Sequence, residues 1–177
     1  MTLQLVYRQL LAQLYEIYDK REAANIADWV IEHITGQRKI ERIVYKDLPV
    51  STEQQQTLQT ITSELLQHKP VQYVLQEARF CNMKLYMNEN VLIPRPETEE
   101  LVEWIVKEEI RNSKFEIRKF ILDIGTGSGC IAISLKNSIT NAEVYAIDIS
   151  TEALKVAQQN AAHQNLEINY LQRDFLD

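Results

Sequence analysis

The sequence predicts an α/β protein in which a helical region precedes a β-hairpin and a parallel sheet. Three observations support this fold class. Apolar side chains recur at helical spacing over residues 1–67, the segment after Lys119 alternates strands with helices, and three of the four glycines fall within 125–129. Apolar residues make up 45% of the 177 residues and charged residues 25%, which is typical of a folded globular protein.

Helical spacing predicts four helical segments at the start of the chain. They are 3–17, 22–35, 38–48 and 52–69. Gly36 is placed to end the second segment, because glycine readily adopts the left-handed conformation that follows many helices. Ser51 and Gln54 form a capping box at the start of the fourth segment, and Pro70 ends it. Together these segments predict a small helical bundle of four or five elements.

The middle of the chain changes character. Residues 71–93 predict a β-hairpin, because short apolar runs flank polar breaks at 81–82 and 88–90. A helix is expected to follow over 97–110, with Pro96 in its first turn and acidic residues near its positive N-terminal end. We therefore expect three parts, which are a helical domain 1–69, a hairpin linker 70–95 and an α/β domain 96–177.

The last third of the chain predicts a parallel sheet. Its strands are expected at 120–124, 144–147 and 168–171, and its helices at 128–137 and 152–163. The first of these strands is a short apolar run, as in a parallel strand that helices bury. Such a βαβαβ order brings the carboxyl ends of the strands to one edge, where these folds bind their ligands.

A glycine-rich loop lies at the first of these carboxyl ends. Its candidate cofactor-binding residues are Asp123, Gly125, Thr126, Gly127, Ser128 and Gly129. Glycines allow a tight turn and a close approach of the backbone to a ligand. Asp148 ends the next strand, 23 residues after Gly125, where dinucleotide-binding folds place the acid that binds ribose hydroxyls. We interpret the loop as a nucleoside site, and a tight turn without a ligand is the alternative.

The charges around the loop indicate which nucleoside it takes. The dinucleotide pattern requires a third glycine at the position of Cys130. Asp123 would repel a pyrophosphate and attract a cation. S-adenosylmethionine (SAM) has no phosphate and carries an ammonium and a sulfonium group, so the pattern favours SAM over NAD. Asp174, after the third strand, either accepts a hydrogen bond from an adenine amino group or is a solvated loop acid.

Composition argues against several other classes of function. Acidic residues number 25 and basic residues 19, so we expect no direct binding of nucleic acid through bulk charge. No apolar run reaches the roughly 18 residues that span a bilayer, and we expect no membrane partner. Cys81 and Cys130 have no zinc-ligand spacing, so no metal is expected, and they fit a reducing, cytoplasmic location.

Three motifs, in this order, resemble those of a known family. They are Pro70-Val71-Gln72-Tyr73, Leu92-Ile93-Pro94-Arg95-Pro96-Glu97-Thr98-Glu99 and Asp123-Ile124-Gly125-Thr126-Gly127-Ser128-Gly129. They are similar to the motifs of the HemK/PrmC protein-(glutamine-N5) methyltransferases, which methylate the Gly-Gly-Gln glutamine of class 1 peptide chain release factors. The resemblance implies a helical substrate-docking domain at the start of the chain. A class I SAM-dependent methyltransferase (Rossmann-like) domain, truncated after its third strand, is expected to follow it.

The resemblance also implies roles for individual residues. The glycine loop matches the part of the family's site that takes the methionine side of SAM, and Asp148 matches the acid that binds the ribose. Asp174 and Phe175 match the acidic and aromatic pair beside the adenine, and Arg95 with Pro96 matches a stretch near the cofactor. By this resemblance we expect SAM as the cofactor and class 1 release factors as the partner.

Two departures from the family pattern stand out. No glycine follows Gln72-Tyr73, where Val74–Glu77 stand instead, and the family's catalytic Asn-Pro-Pro-Tyr motif is not in this chain. We therefore expect no catalytic residue here, little activity from the chain by itself, and self-association through the cut sheet. A nucleic-acid amino methyltransferase and a non-catalytic protein-binding module are the alternatives.

Overall fold

The computed structural model describes residues 1–112 and 119–175. The chain divides into two compact units, Met1–Leu75 and Gln76–Asp177. The first unit is helical, and the second combines a hairpin, a parallel sheet and three longer helices among the described residues. The hairpin thus falls within the second unit. The division of the chain into a helical domain, a separate hairpin linker and an α/β domain stays a prediction.

The helical unit contains five helices within residues 1–75. They are α1 (Leu3–Leu14), α2 (Lys20–Thr35), α3 (Lys39–Val44), α4 (Thr52–Leu65) and α5 (Val71–Val74). Gly36 ends α2 in the left-handed conformation, with φ of 70°. Ser51 and Gln54 form reciprocal side chain–backbone hydrogen bonds at the start of α4. The helix end predicted at Gly36 and the helix start predicted at Ser51 are confirmed. The fourth helix ends at Leu65, before the end predicted at Pro70, and the sequence pattern does not predict α5, which follows Pro70.

A polar cluster holds α3 against the rest of the helical unit. The Arg42 guanidinium on α3 donates to the Asp28 carboxylate on α2 at 2.6 Å. The same guanidinium lies over the Tyr7 ring of α1, 3.5 Å from the ring centroid. Burial, together with the neighbouring Asp28 carboxylate, raises the pKa of Tyr7 to about 12. Residue Arg42 therefore joins three helices, and the apolar residues of α3 are left exposed.

The second unit begins with the predicted hairpin. Strands β1 (Glu77–Phe80) and β2 (Met83–Tyr86) pair antiparallel, with Ala78 opposite Leu85. The two-residue turn between them has positive φ at both positions, as a tight hairpin requires. The apolar run 91–93 forms no strand, contrary to the sequence expectation. Val91 is buried and Leu92 is 74% exposed, so this run is an irregular connection that anchors through one side chain.

The sheet that positions the site follows. Its elements are α6 (Pro96–Asn112), β3 (Lys119–Ile124), α7 (Cys130–Ser138), β4 (Ala142–Asp148), α8 (Thr151–His163) and β5 (Asn169–Gln172). The strands are parallel and lie in the order β3-β4-β5. Each predicted helix and strand of this part lies within two residues of the observed one. The predicted Rossmann-like fold class is confirmed for the described residues.

The two faces of the sheet differ in their cover. On one face, β4 buries Val144 and Ala146, and the Tyr170 hydroxyl of β5 donates to the Ala157 carbonyl of α8 at 3.0 Å. On the other face, the alternate residues of β3 are solvent-exposed, with Phe120 at 65% and Leu122 at 53%. In the part of the chain that the structure describes, β3 is also an edge strand. Helices therefore cover one face, and apolar side chains reach solvent on the other.

Candidate functional site

The candidate site lies at the carboxyl edge of the three parallel strands. The glycine loop, residues 125–129, joins β3 to α7, and Asp148 is the last residue of β4. The strand register places Asp148 opposite Gln172 of β5, and the Arg173 backbone N–H donates to the Asp148 carbonyl at 3.1 Å. The sheet thus brings the three segments that the sequence singles out to one edge, as its topology predicts.

The backbone of the glycine loop is anchored to β4. The Gly125 and Thr126 N–H groups both donate to the Ile147 carbonyl, at 2.8 and 2.9 Å. Gly125 is exposed and Gly127 is half-buried, whereas Thr126, Ser128 and Gly129 are buried. The surface that the loop offers to a ligand is therefore mostly glycine backbone, with no side chain in the way of a close approach.

Asp148 ties the loop to the start of α8. One of its carboxylate oxygens accepts from the Gly127 N–H at 2.9 Å, and the other accepts from the Ser150 N–H at 2.9 Å. A carboxylate has about four lone-pair sites, so two acceptor positions are left for hydroxyl groups of a ligand. This second task of Asp148, holding Gly127 in place, is not evident from the sequence.

Asp123 has a different environment. Its side chain is buried and accepts from the Thr126 hydroxyl at 2.7 Å. Burial raises the pKa of Asp123, while hydrogen bonds from Thr126 and from the Ala132 backbone N–H oppose that shift. The nearby Asp148 carboxylate adds a further rise in pKa. Asp123 is therefore placed to brace the loop against α7, and its negative charge acts on a ligand from beneath the loop.

The other predicted residues lie at the surface. Phe175 is 60% exposed, and Asp174 is exposed directly after the residue that bonds to β4. Arg95 and Pro96 are exposed at the start of α6, and the Arg95 carbonyl accepts from the Thr98 N–H at 3.0 Å. Among the described residues, neither Arg95 nor Pro96 bonds to the glycine loop. Their assignment to the cofactor site stays a prediction.

Asn160, on α8, is a further residue at the glycine loop, which the sequence motifs do not indicate. Its side-chain amide donates to the Ser128 carbonyl of the glycine loop at 2.9 Å and to the Tyr86 carbonyl of β2 at 3.0 Å. Its side-chain oxygen accepts from the Tyr86 N–H at 2.6 Å. A signal was available, because Asn160 is a polar residue on the apolar face of α8, three positions after Ala157.

Two other kinds of feature are metal centres and membrane-spanning helices, and the described residues give no sign of either. They contain no group of three or more His, Cys, Asp or Glu side chains arranged to hold a metal ion. None of the helices in this part of the chain is long and apolar enough to cross a membrane. Cys81 and Cys130 are free thiols, and burial raises the pKa of Cys130 to about 11. A thiol with a raised pKa is a weak nucleophile, which fits a packing role.

Two family models match the chain in succession. A PrmC N-terminal domain matches residues 6–75, and a methyltransferase domain matches residues 121–177. These matches coincide with the helical unit and with the sheet that carries the glycine loop. They define the class: a helical PrmC-type domain followed by a Rossmann-like methyltransferase domain.

Curated relatives give the family. The release factor glutamine methyltransferase of Flavobacterium psychrophilum is 42% identical over 168 residues, which are 95% of this chain and 59% of that protein. That of Streptococcus pneumoniae is 40% identical and matches 89% of this chain and 57% of that protein. The human MTRF1L release factor glutamine methyltransferase is 32% identical, over 90% of this chain and 49% of that protein. The chain belongs to this PrmC family and spans between about half and three fifths of these relatives' length.

Proposed function

We propose that the protein is a SAM-dependent methyltransferase that acts on the Gly-Gly-Gln glutamine side chain of class 1 peptide chain release factors. One observation carries the proposal: the glycine loop and Asp148 meet at the carboxyl edge of the sheet, within a chain whose relatives are named release factor glutamine methyltransferases. This substrate belongs to translation, so the proposal also places the protein in the cytoplasm.

The charges of the site support SAM as the cofactor. Asp123 lies beneath the glycine loop and Asp148 beside it, and each raises the cost of placing an anion there. Asp148 keeps acceptor capacity for ribose hydroxyls. Asp174 and Phe175 follow β5 at the same edge, and we expect them to meet the adenine. A cationic sulfonium and ammonium therefore fit this site better than the pyrophosphate of a dinucleotide.

The chemistry divides between residues in this chain and groups outside it. When bound, SAM supplies a methyl group activated by its sulfonium. Methyl transfer to the amide nitrogen would release a proton from that nitrogen and would leave the donor as a neutral thioether. The described residues supply binding and orientation of the methyl donor, since the chain has no Asn-Pro-Pro-Tyr motif to orient the amide. We expect the 177 residues alone to bind SAM without catalysing transfer.

The helical unit offers a surface for the release factor. Ile40, Ile43 and Val44 of α3 are 76%, 60% and 64% exposed, at the spacing of one helix face. Exposed apolar side chains grouped in this way are typical of interaction sites. We assign this face of α3 to release factor docking. The expected result is that Ile43→Ser weakens release factor binding several-fold and leaves SAM affinity unchanged, with Thr57→Ala on α4 as the neutral control.

The cofactor proposal is tested by calorimetry on the full-length protein. SAM and S-adenosylhomocysteine should both bind with micromolar affinity, whereas NAD should not bind measurably. Equal binding of NAD would show that the negative charges do not select against a pyrophosphate. No binding of any nucleoside would leave the glycine loop as a tight turn and would overturn the proposal.

The substrate proposal needs a labelling experiment. Full-length protein with methyl-labelled SAM should modify a purified class 1 release factor, and a release factor with Gly-Gly-Ala in place of Gly-Gly-Gln should remain unlabelled. Residues 1–177 expressed alone should transfer no label. Label incorporated into RNA instead, with salt-dependent RNA affinity, would support the nucleic-acid amino methyltransferase and refute the proposed substrate.

A further inference from the structure

We propose that Asn160 is a positioning residue for the cofactor loop, through which the hairpin and the glycine loop are held as one body. This inference rests on the proposed binding of SAM at that loop. It begins from three hydrogen bonds that one buried side chain makes to two separate backbone segments. Residues 84–86 and 126–129 do not bond each other directly among the described residues, so Asn160 is their link.

The hydrogen bonds of Asn160 use most of what its amide offers. Both donated bonds end on backbone carbonyls, Ser128 at 2.9 Å and Tyr86 at 3.0 Å, and the side-chain oxygen accepts at 2.6 Å. The residue is 1% exposed, so its amide is shielded from water and is satisfied by these three hydrogen bonds. Aspartate has the same shape but carries oxygen where Asn160 carries the N–H donors, and it would face two carbonyl groups.

A second observation places the same helix face under the loop. Gly129 lies so close to α8 that an added Cβ would be 3.0 Å from the Ala157 Cβ and 3.3 Å from the Ala157 Cα. Ala157 precedes Asn160 by three residues, so both occupy one face of the helix. The small side chain of Ala157 allows the glycine loop to lie close to α8, and the Asn160 amide donates a hydrogen bond to that loop.

The loop is therefore fixed from two sides. Asp148 holds the Gly127 N–H from the side of β4, and Asn160 holds the neighbouring Ser128 carbonyl from α8. Fixing both ends of this short peptide segment sets the direction of the loop amides before a ligand arrives. Binding to a preorganised loop avoids the ordering cost, so loss of the Asn160 bonds should lower SAM affinity.

The test compares variants of the full-length protein. Asn160→Asp removes the donors to Ser128 and Tyr86. Gln164→Ala is the matched control, because Gln164 donates from the end of α8 to the Lys84 carbonyl of the hairpin at 3.2 Å and does not bond the glycine loop. Ala161→Gly destabilises the same helix and leaves all these bonds in place. Measurements are SAM affinity by calorimetry and amide hydrogen exchange of the ligand-free proteins.

Asn160→Asp should weaken SAM binding tenfold or more and speed exchange at the Gly129 and Ile133 amides, which are bonded within the loop and α7. Gln164→Ala and Ala161→Gly should keep affinity within twofold of the wild type. Equal losses in Asn160→Asp and Ala161→Gly would reduce Asn160 to a structural residue and overturn the proposal. If the wild type does not bind SAM, the hydrogen-exchange comparison of the ligand-free proteins still tests the role of Asn160. Failure of the proposed function can therefore be told apart from failure of this inference.

A measurement on the wild type needs no variant and covers the case in which Asn160→Asp does not fold. If the hairpin and the loop form one body, SAM should slow exchange of the Tyr86 amide together with that of the Gly127 amide. Protection of Gly127 alone would show that the hairpin moves independently and would refute the link through Asn160.

Discussion

Gly129→Ala is expected to destabilise the second unit strongly. Gly129 has φ of +80°, and an added Cβ would lie 3.0 Å from both the Ala157 Cβ and the Ile133 Cδ1. The left-handed conformation costs an alanine roughly 1–2 kcal/mol. Overpacking against α8 adds about 1–3 kcal/mol, because Ile133 can rotate away but the Ala157 backbone cannot. We expect a loss of about 2–5 kcal/mol in the free energy of unfolding.

Gly125→Ala is the matched control for this prediction. Gly125 has a similar φ of +73°, yet nothing lies within 4 Å of its added Cβ. It should therefore show the conformational cost of about 1–2 kcal/mol alone. Urea denaturation monitored by circular dichroism measures the free energy of unfolding of both variants. The difference between the two variants is the cost of contact with α8.

A double-mutant cycle with Ala157→Gly isolates that contact. Ala157→Gly removes one of the two atoms closest to the added Cβ of Gly129→Ala. By itself it destabilises α8, because glycine is a poor helix former. In the Gly129→Ala background it should cost less stability than it does in the wild type, because it also relieves the close contact. The coupling energy should be about 1 kcal/mol or more. A Gly129→Ala variant as stable as Gly125→Ala, or a cycle without coupling, would refute the argument that Gly129 is required for close packing on α8.

Three further predictions concern the ligand, pH and assembly. Asp148→Asn should weaken SAM binding by about 1–3 kcal/mol, the range for hydrogen bonds to a charged group, and unchanged affinity by calorimetry would contradict the ribose assignment. Burial raises the pKa of Tyr170 to about 12, so the folded protein favours the neutral phenol more than the unfolded chain does. The free energy of unfolding should therefore fall by about 1 kcal/mol, after allowance for solvent screening, as the pH rises from 10 through 12. Tyr170→Phe should remove that fall. If the free energy of unfolding of the wild type and of Tyr170→Phe changed with pH in the same way, the assignment to Tyr170 would be wrong. Residues 1–177 expressed alone should self-associate in sedimentation through the β3 edge, Phe120→Lys should weaken the association, and a monomer at high concentration would exclude it.

Local signals in the sequence account for the parts of the fold that it predicts well. A capping box at Ser51 and Gln54, and a glycine after α2, act within one helical turn and can be identified without knowledge of the rest of the chain. The alternation of apolar runs with helical periodicity likewise predicts β3, β4 and β5 in order. These features depend on residues that are close together in sequence, so they can be predicted without the rest of the fold, and the structure confirms them.

Features decided by distant residues are the ones that the sequence does not reveal. The run 91–93 has the composition of a strand, but Val91 is buried as part of a connection and the run pairs with no strand in the described part of the chain. Asn160 acts on residues 32 and 74 positions earlier. No local pattern indicates which carbonyl groups a buried amide will meet across such distances, although the polar residue on an apolar helix face is a signal that some partner exists.

The roles of the three acidic residues at the site likewise cannot be told apart from local sequence, because they depend on contacts with distant residues. By sequence, Asp123, Asp148 and Asp174 all fall at or just after the carboxyl end of a parallel strand, and the sequence does not show which of them are buried or what they bond. The structure separates them by their partners. Asp123 is buried against Thr126 and braces the loop, Asp148 divides its oxygens between Gly127 and Ser150 with capacity left for a ligand, and Asp174 lies exposed. Because a buried carboxylate acts on a ligand only through its field, Asp123→Asn should alter selectivity for a cationic ligand more than binding of an uncharged adenosine, whereas Asp148→Asn should weaken both.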